Sequence, residues 1–138
     1  EPSHHIAHLY NYVGQPWRTQ EIVDEVLHTL YFNNPDGLSG NEDCGQMSAW
    51  YILNAMGFYQ VCPGKPVYSI GRPLFNEATV HLKDGKSFKV IAHNNSRDNK
   101  YVQSIVLNGN KLETPFFTHQ DIVDGGTLEL TMGSEPLK

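Results

Sequence analysis

Residues 63–66 read Pro63-Gly64-Lys65-Pro66, a turn cluster at which the spacing of apolar residues changes along the chain. Helical spacing precedes this cluster, and the alternation of apolar and polar residues that is typical of strands follows it. We therefore predict an α+β fold with two parts. Residues 1–62 form helices, and residues 63–138 form antiparallel β-strands in a sandwich-like arrangement.

Two of the three predicted helices lie near the start of the chain. The first covers about 4–12 with Ser3 as its cap, and the second covers about 19–31. Each has an apolar side, made of Ile6, Leu9, Tyr10 and Val13 in the first helix and of Ile22, Val23, Val26, Leu27 and Leu30 in the second. Those sides are expected to face the protein core.

The third helix is predicted to begin after Asn41 or Asp43 and to end at Met56, where Gly57 suits the left-handed position that follows a helix. Its residues are apolar nearly all round, so we expect the helix to be buried.

Alternating apolar residues mark five strands, at about 67–70, 78–82, 87–92, 101–107 and 127–132. The dipeptide Asn108-Gly109 predicts a tight hairpin, because both residues tolerate positive φ. A second turn is predicted at Asp84-Gly85-Lys86. The resulting sheet requires a covering layer, supplied by the helices or by a further segment of the protein.

Composition narrows the possible partners. The chain has 138 residues, 39% hydrophobic and 18% charged, which is ordinary for a globular domain. A net charge of −5, with only 10 Lys and Arg residues, argues against nucleic-acid binding. No apolar run approaches the length of roughly 20 residues that a membrane helix needs, so we expect no membrane insertion.

The two cysteines, Cys44 and Cys62, are expected to be separate thiols.

The segment Gly40-Asn41-Glu42-Asp43-Cys44-Gly45 places an oxygen-rich tripeptide at the entrance of the third helix. Two interpretations stay open at this point. Asn41 or Asp43 can cap the helix while Glu42 favours its dipole. Alternatively, a carboxylate here can act as a metal ligand or as a general base, and a helix N-terminus favours its ionised form.

A second candidate site is the segment Glu1-Pro2-Ser3-His4-His5. His4 and His8 are four residues apart, a spacing that suits zinc, but no third ligand is indicated. A sugar-binding role or an ordinary helix histidine are the other interpretations. Aromatic residues nearby could stack on a sugar ring, although at helical spacing they are more often core residues; they are Tyr10, Tyr12, Trp17, Trp50 and Tyr51.

Four motifs in order carry a family resemblance. They are Glu-Pro-Ser-His-His at 1–5, Tyr-Asn-Tyr-Val-Gly-Gln-Pro-Trp at 10–17, Gly-Asn-Glu-Asp-Cys-Gly-Gln-Met-Ser-Ala-Trp-Tyr at 40–51 and Gly-Phe-Tyr-Gln-Val-Cys-Pro-Gly at 57–64, with a further match at 68–75. The chain resembles the C-terminal part of an exo-acting α-mannosidase of glycoside hydrolase family 92. The resemblance implies that its helices are the last of an (α/α)₆ barrel and that its strands return to an N-terminal sandwich, within a larger two-domain enzyme.

The same resemblance implies a calcium-dependent, inverting hydrolase that removes terminal α-linked mannose from glycans. Asp43 matches the general base, Glu1 and Asn41 match positions near the calcium, and His4 lies at the mannose subsite. The general acid belongs to an earlier part of the barrel, so we expect the isolated segment to be inactive. By the same resemblance, we expect the longer protein that contains this chain to be an exported bacterial protein.

A non-catalytic carbohydrate-binding or structural β-module is the alternative function. The strand region contains several aromatic residues but no Trp, which makes it a modest stacking platform for glycans. If apolar surface meant for the rest of the protein is bare, the segment is also expected to self-associate.

Overall fold

The computed structural model describes residues 3–138, and Glu1, one of the two predicted metal ligands, lies outside them. The helical region begins with a 3-10 helix, η1 (Ile6–Val13), followed by α1 (Pro16–Thr29) and α2 (Gln46–Met56). Pro16 occupies the first position of α1, where its missing N–H costs nothing. Gly57 follows α2 at φ 110° and donates to the Leu53 carbonyl, as predicted.

The face of the first helix that packs against the core is not the predicted one. Ile6 and Val13 are 49% and 67% exposed, whereas Ala7, His8 and Asn11 are buried. A 3-10 helix has three residues per turn, so positions 8 and 11 lie in line and face the core together. The predicted Ser3 cap is also wrong, because no side chain caps η1.

The predicted burial of α2 holds for only part of its surface. Met47, Trp50, Asn54 and Ala55 are buried, but Ile52 is 51% exposed. The helix therefore has one face in the core and one face bare in this segment.

Two sheets follow the helices and share one α+β core. The strands are β1 (Phe58–Tyr59), β2 (Val67–Ile70), β3 (Glu77–His81), β4 (Ser87–His93), β5 (Tyr101–Leu107), β6 (Asn110–Lys111), β7 (Phe116–Thr118) and β8 (Gly126–Gly133), with a short helix, α3 (His119–Val123), between β7 and β8. The smaller sheet has the order β1-β2-β7 and the larger one the order β3-β4-β8-β5-β6.

The larger sheet is mixed, so the prediction of purely antiparallel strands is wrong at one pair. The last strand, β8, lies between β4 and β5, parallel to β4 and antiparallel to β5. Alternating side chains of β8 are fully buried, namely Leu128, Leu130 and Met132. Alternation in the sequence reports which face of a strand is buried but not the direction of its neighbours.

Both predicted turns are confirmed. Asn108 and Gly109 have φ values of 49° and 80°, and they join β5 to β6 in antiparallel pairing. Gly85, at φ 82°, lies in the turn between β3 and β4. These turns are encoded locally, because they need residues that tolerate positive φ.

The core between the sheets is aromatic and aliphatic. Phe117 of the small sheet stacks on Phe88 of the large one with ring centroids 5.8 Å apart, and Phe58 meets Phe117 edge-on at 5.3 Å. A second, smaller core lies among the helices and consists of Ala7, Val23, Leu27 and Trp50.

Polar side chains of α1 connect the helical region to the strands. Gln20 Oε1 accepts a hydrogen bond from the Val102 backbone N–H at 3.1 Å, and Glu21 Oε1 accepts one from the Tyr101 hydroxyl at 2.8 Å. Residues on the two sides of position 63 therefore pack together; the division of the chain into two parts there stays a prediction. No helix within residues 3–138 has the length and apolar character needed to cross a membrane.

Candidate functional site

The entrance of α2 has an unusual backbone. Asp43, Cys44 and Gly45 have φ values of 51°, 57° and 94°, so three successive residues are left-handed. Asp43 and Asn41 are exposed, and Gly45, which has no side chain, occupies the N-cap position. Of the two interpretations, the one in which Asn41 or Asp43 caps the helix is therefore wrong.

A different carboxylate supplies the missing cap. Glu42 accepts a hydrogen bond from the Ser48 backbone N–H at 3.1 Å and another from the Ser48 hydroxyl at 3.0 Å. Ser48 is the third residue of α2, and its N–H would otherwise have no partner within the helix. Glu42 is thus used structurally, whereas the exposed side chain of Asp43 makes no hydrogen bond to any of residues 3–138.

His4 is held against the first turn of α2. Its Nδ1 accepts from the Gln46 side-chain amide at 3.2 Å, and its Nε2 lies 3.1 Å from the Met47 sulfur. An imidazole that accepts through Nδ1 carries its proton on Nε2. Burial lowers the pKa of His4, which favours this neutral form near pH 7. The ring therefore offers an N–H donor whose present partner, a thioether, is a weak acceptor.

Trp50 also holds His4 in place. The indole N–H donates to the His4 carbonyl at 2.9 Å, and the two rings stack with centroids 5.7 Å apart. Tyr31 also stacks on Trp50, with ring centroids 5.7 Å apart and nearly parallel planes. Trp50 is buried, which supports a core role for it rather than a sugar-stacking one.

Tyr31 joins the aromatic cluster to the helix entrance. Its hydroxyl donates to the Met47 carbonyl at 3.2 Å. Burial, followed by the nearby Glu42 charge, raises the pKa of Tyr31 to about 12, so the phenol stays protonated at all physiological pH values.

Two clefts border this cluster. One, of about 250 Å³, lies between His4, Trp50 and the apolar side of α1. The other, of about 370 Å³, lies between α2 and the loop after α1 and is lined by Tyr31, Phe32, Ser48 and Tyr51, among others. Asp43 lines neither cleft; it precedes the first turn of α2, which His4 contacts through Gln46 and Met47.

The structure gives no support to zinc binding by His4 and His8, one of the three interpretations of that segment. His8 is completely buried and its two ring nitrogens contact Ser69 Oγ at 3.0 Å and Asn54 Oδ1 at 2.8 Å. Within residues 3–138, no group of three or more His, Cys, Asp and Glu side chains could hold a metal ion. Both cysteines, Cys44 and Cys62, are free thiols, as predicted.

The sequence patterns missed two residues of the site, Gln46 and Ser48. Gln46 holds His4 across 42 positions of sequence, and no local signal could have paired them. The contact between Glu42 and Ser48 spans six positions, which differs from the usual three-residue capping spacing.

Comparison with known proteins finds similarity to one family of glycosyl hydrolases. A model of the glycosyl hydrolase family 92 catalytic domain matches residues 1–134. A family GH92 α-mannosidase from Bacteroides thetaiotaomicron, solved in complex with mannoimidazole, is 44% identical with a TM-score of 0.94, and the similarity covers 99% of this chain and 18% of that one. A family GH92 inverting mannosidase from the same bacterium is 46% identical with a TM-score of 0.91, over 99% and 18% of the two chains.

A curated relative extends the comparison to a fungus. An uncharacterized secreted glycosidase from Arthroderma benhamiae is 31% identical over 138 residues. The match covers 98% of this chain and 18% of that protein. The chain thus spans only a small part of the length of the relatives it matches.

Proposed function

The chain belongs to glycosyl hydrolase family 92, and from that premise we propose that it is part of an exo-acting α-mannosidase that releases terminal α-linked mannose from glycans with inversion. Support comes from the two similar bacterial structures, one described as an α-mannosidase and the other as an inverting mannosidase. Because the chain spans 18% of each, the activity is assigned to the longer enzyme that contains it. The isolated segment is expected to be inactive.

The general base of this reaction is Asp43. The observation that carries the assignment is its exposed carboxylate, which has no hydrogen-bond partner among residues 3–138, beside Glu42, whose own oxygens both accept from Ser48. In an inverting hydrolysis, water attacks the anomeric carbon as the glycosidic C–O bond breaks. Asp43 takes a proton from that water, and a carboxylic acid from elsewhere in the enzyme gives one to the leaving oxygen.

His4 is proposed to bind the mannose. A neutral imidazole with its proton on Nε2 donates one hydrogen bond, and a sugar hydroxyl is a better acceptor for it than the Met47 sulfur. Gln46 and Trp50 hold the ring in a fixed position, which reduces the entropy lost when the sugar binds.

Calcium is the proposed cofactor. Asn41 and Asp43 expose amide and carboxylate oxygens two positions apart, and such oxygens fit a hard cation better than imidazole or thiolate does. Asn41, with Glu1 and residues from the rest of the enzyme, would hold the ion. When bound, calcium would supply a positive charge that orients sugar hydroxyls and water.

Apolar side chains that are bare in this segment are proposed to contact the rest of the enzyme. They belong to η1, to the end of α1 and the loop after it, and to α2: Ile6, Leu9, Val13, Leu30, Phe32 and Ile52. Isolated from that enzyme, the segment is expected to self-associate through them. Export of the enzyme is proposed by analogy with the secreted fungal relative.

Hydrolysis of an aryl α-mannoside by the full-length enzyme tests the base assignment. Such a substrate has a good leaving group and depends little on the general acid, so the base is measured directly. Asp43→Asn is expected to lower kcat by about 10²- to 10⁴-fold. Asp98→Asn, which changes another exposed carboxylate, is the control. Near wild-type turnover of the Asp43 variant would refute the assignment.

A further inference from the structure

The backbone at Asp43 has a conformation that its residues do not favour by themselves. Asp43 and Cys44 have φ values of 51° and 57°, a region that residues with a side chain rarely adopt, and Gly45 continues it at 94°. Such conformations persist where surrounding contacts determine them. The contacts that hold this loop therefore decide where the Asp43 carboxylate lies.

Backbone hydrogen bonds supply only part of that restraint. The Met47 N–H donates to the Glu42 carbonyl at 3.2 Å, and the Gln46 N–H donates to the Asp43 carbonyl at 3.3 Å. Both are at the long end of the usual range. Since Gly45 has no side chain with which to cap the helix, the loop needs another fixed point on α2.

Glu42 provides that fixed point. One carboxylate oxygen accepts from the backbone N–H of Ser48 at 3.1 Å, and the other accepts from the Ser48 hydroxyl at 3.0 Å. We call this two-bond contact the clamp. Hydrogen bonds to an ionised acceptor are the stronger kind. Glu42 precedes Asp43 directly, and a movement of its main chain moves Asp43 with it.

We propose that Glu42, anchored on Ser48, is a positioning residue that holds the Asp43 carboxylate in its productive orientation. This inference rests on the proposed role of Asp43 as general base. Glu42 acts through the loop and does not touch the reacting atoms, because both of its oxygens are directed to α2. Ser48 is part of the same contact, because its N–H and hydroxyl are the groups that hold Glu42.

Steady-state kinetics of the full-length enzyme on an aryl α-mannoside test the proposal. Glu42→Ala removes the clamp and is expected to lower kcat by about 10²-fold with little change in KM, because displacement of a reacting group by about 1 Å has an effect of that size. Glu42→Gln keeps an acceptor for the Ser48 N–H and should retain kcat within about tenfold of wild type. Ser48→Ala removes one of the two bonds and should have an intermediate effect.

Two outcomes would overturn the proposal. Wild-type kcat in Glu42→Ala, or in Ser48→Ala if the first variant does not fold, would show that the clamp does not position the base. A loss in Glu42→Gln as deep as in Glu42→Ala would show that the charge of Glu42 takes part in the chemistry. Asp43→Asn separates this test from the parent hypothesis: if that variant is active, the base assignment itself fails, whatever the Glu42 variants do.

Discussion

Asp24 Oδ1 lies 2.9 Å from Arg72 Nε, and both side chains are buried where α1 meets the strands. Burial lowers the pKa of Arg72, while the Asp24 charge acts in the opposite direction. Arg97 is largely exposed, and its Nη1 lies 3.2 Å from the same oxygen, Asp24 Oδ1. One carboxylate thus connects a helix to two loops of the strand region.

Removing that carboxylate should strongly destabilise the protein. Asp24→Asn leaves the buried Arg72 without a charged partner, for which we expect a loss of about 3–5 kcal/mol in the free energy of unfolding. Arg97→Gln is the matched control, because its side chain is 62% exposed and its pairing should contribute at most about 1 kcal/mol. Denaturant unfolding measures both changes, and equal losses would contradict the prediction.

The stability of the protein should fall with acidification because of His8. Burial lowers the pKa of His8 to about 4, against 6.5 for the free side chain, and its bond to Asn54 opposes the shift only in part. As the pH falls below 6.5 the unfolded chain takes up this proton first, so stability present above that value is lost progressively towards pH 4. The expected loss between pH 7 and pH 5 is roughly 2 kcal/mol.

Unfolding midpoints at pH 7 and pH 5 check the His8 prediction. His8→Gln should show a smaller difference between the two pH values than the wild type, whatever its absolute stability. His5→Gln, at an exposed histidine of the same segment, should keep the wild-type difference. If the His8 variant also keeps it, another group is responsible.

The central strand β8 should tolerate changes on one face only. Leu130 is fully buried, and Leu130→Ala should cost about 2–5 kcal/mol through lost burial and the cavity it leaves. Thr131 is the exposed neighbour, and Thr131→Ala should change stability by less than about 0.5 kcal/mol. Similar effects of the two substitutions would be inconsistent with the buried position of this strand.

Asn108 should be needed for more than its turn. Its side-chain oxygen accepts from the Thr127 N–H at 2.8 Å, and its own N–H donates to the Thr127 carbonyl at 2.9 Å, so the hairpin tip holds the start of β8. Asn108→Ala loses the acceptor and strains a residue at φ 49°, with an expected cost of about 1–3 kcal/mol. Asn108→Asp keeps both features and should unfold near the wild-type midpoint; a larger loss in Asp than in Ala would refute this account.

Calcium affinity should respond to the charge at position 41. If Asn41 is a ligand, Asn41→Asp in the full-length enzyme adds a negative charge to the site and should lower the calcium dissociation constant several-fold. Calorimetric titration measures it, with Asn34→Asp, at an exposed asparagine of a nearby turn, as the control. An unchanged constant in the Asn41 variant would remove that residue from the ligand set.

Local chemistry alone was enough to predict much of the fold. Asn108-Gly109 and Gly57 were located correctly, because positive φ is a demand that few residue types meet. The five predicted strands were found within about one residue of their bounds, since alternation reports a buried face directly, but the short elements β1, β7 and α3 were not predicted. The family motifs likewise singled out Asp43 and His4 as candidates from their order along the chain.

Only the tertiary structure decided which surfaces meet. Insertion of β8 between β4 and β5, burial of His8 in place of Ile6, and the contact of Gln46 with His4 all depend on residues far apart in sequence. Periodicity describes one element at a time, whereas burial of a polar residue such as His8 depends on partners such as Ser69 and Asn54. The sequence by itself thus determined the three main helices, five of the strands, the turns and the family. Packing decided the direction of β8, the core-facing side of η1 and the carboxylate at the entrance of α2 that remains free, because each requires contacts that form only on folding.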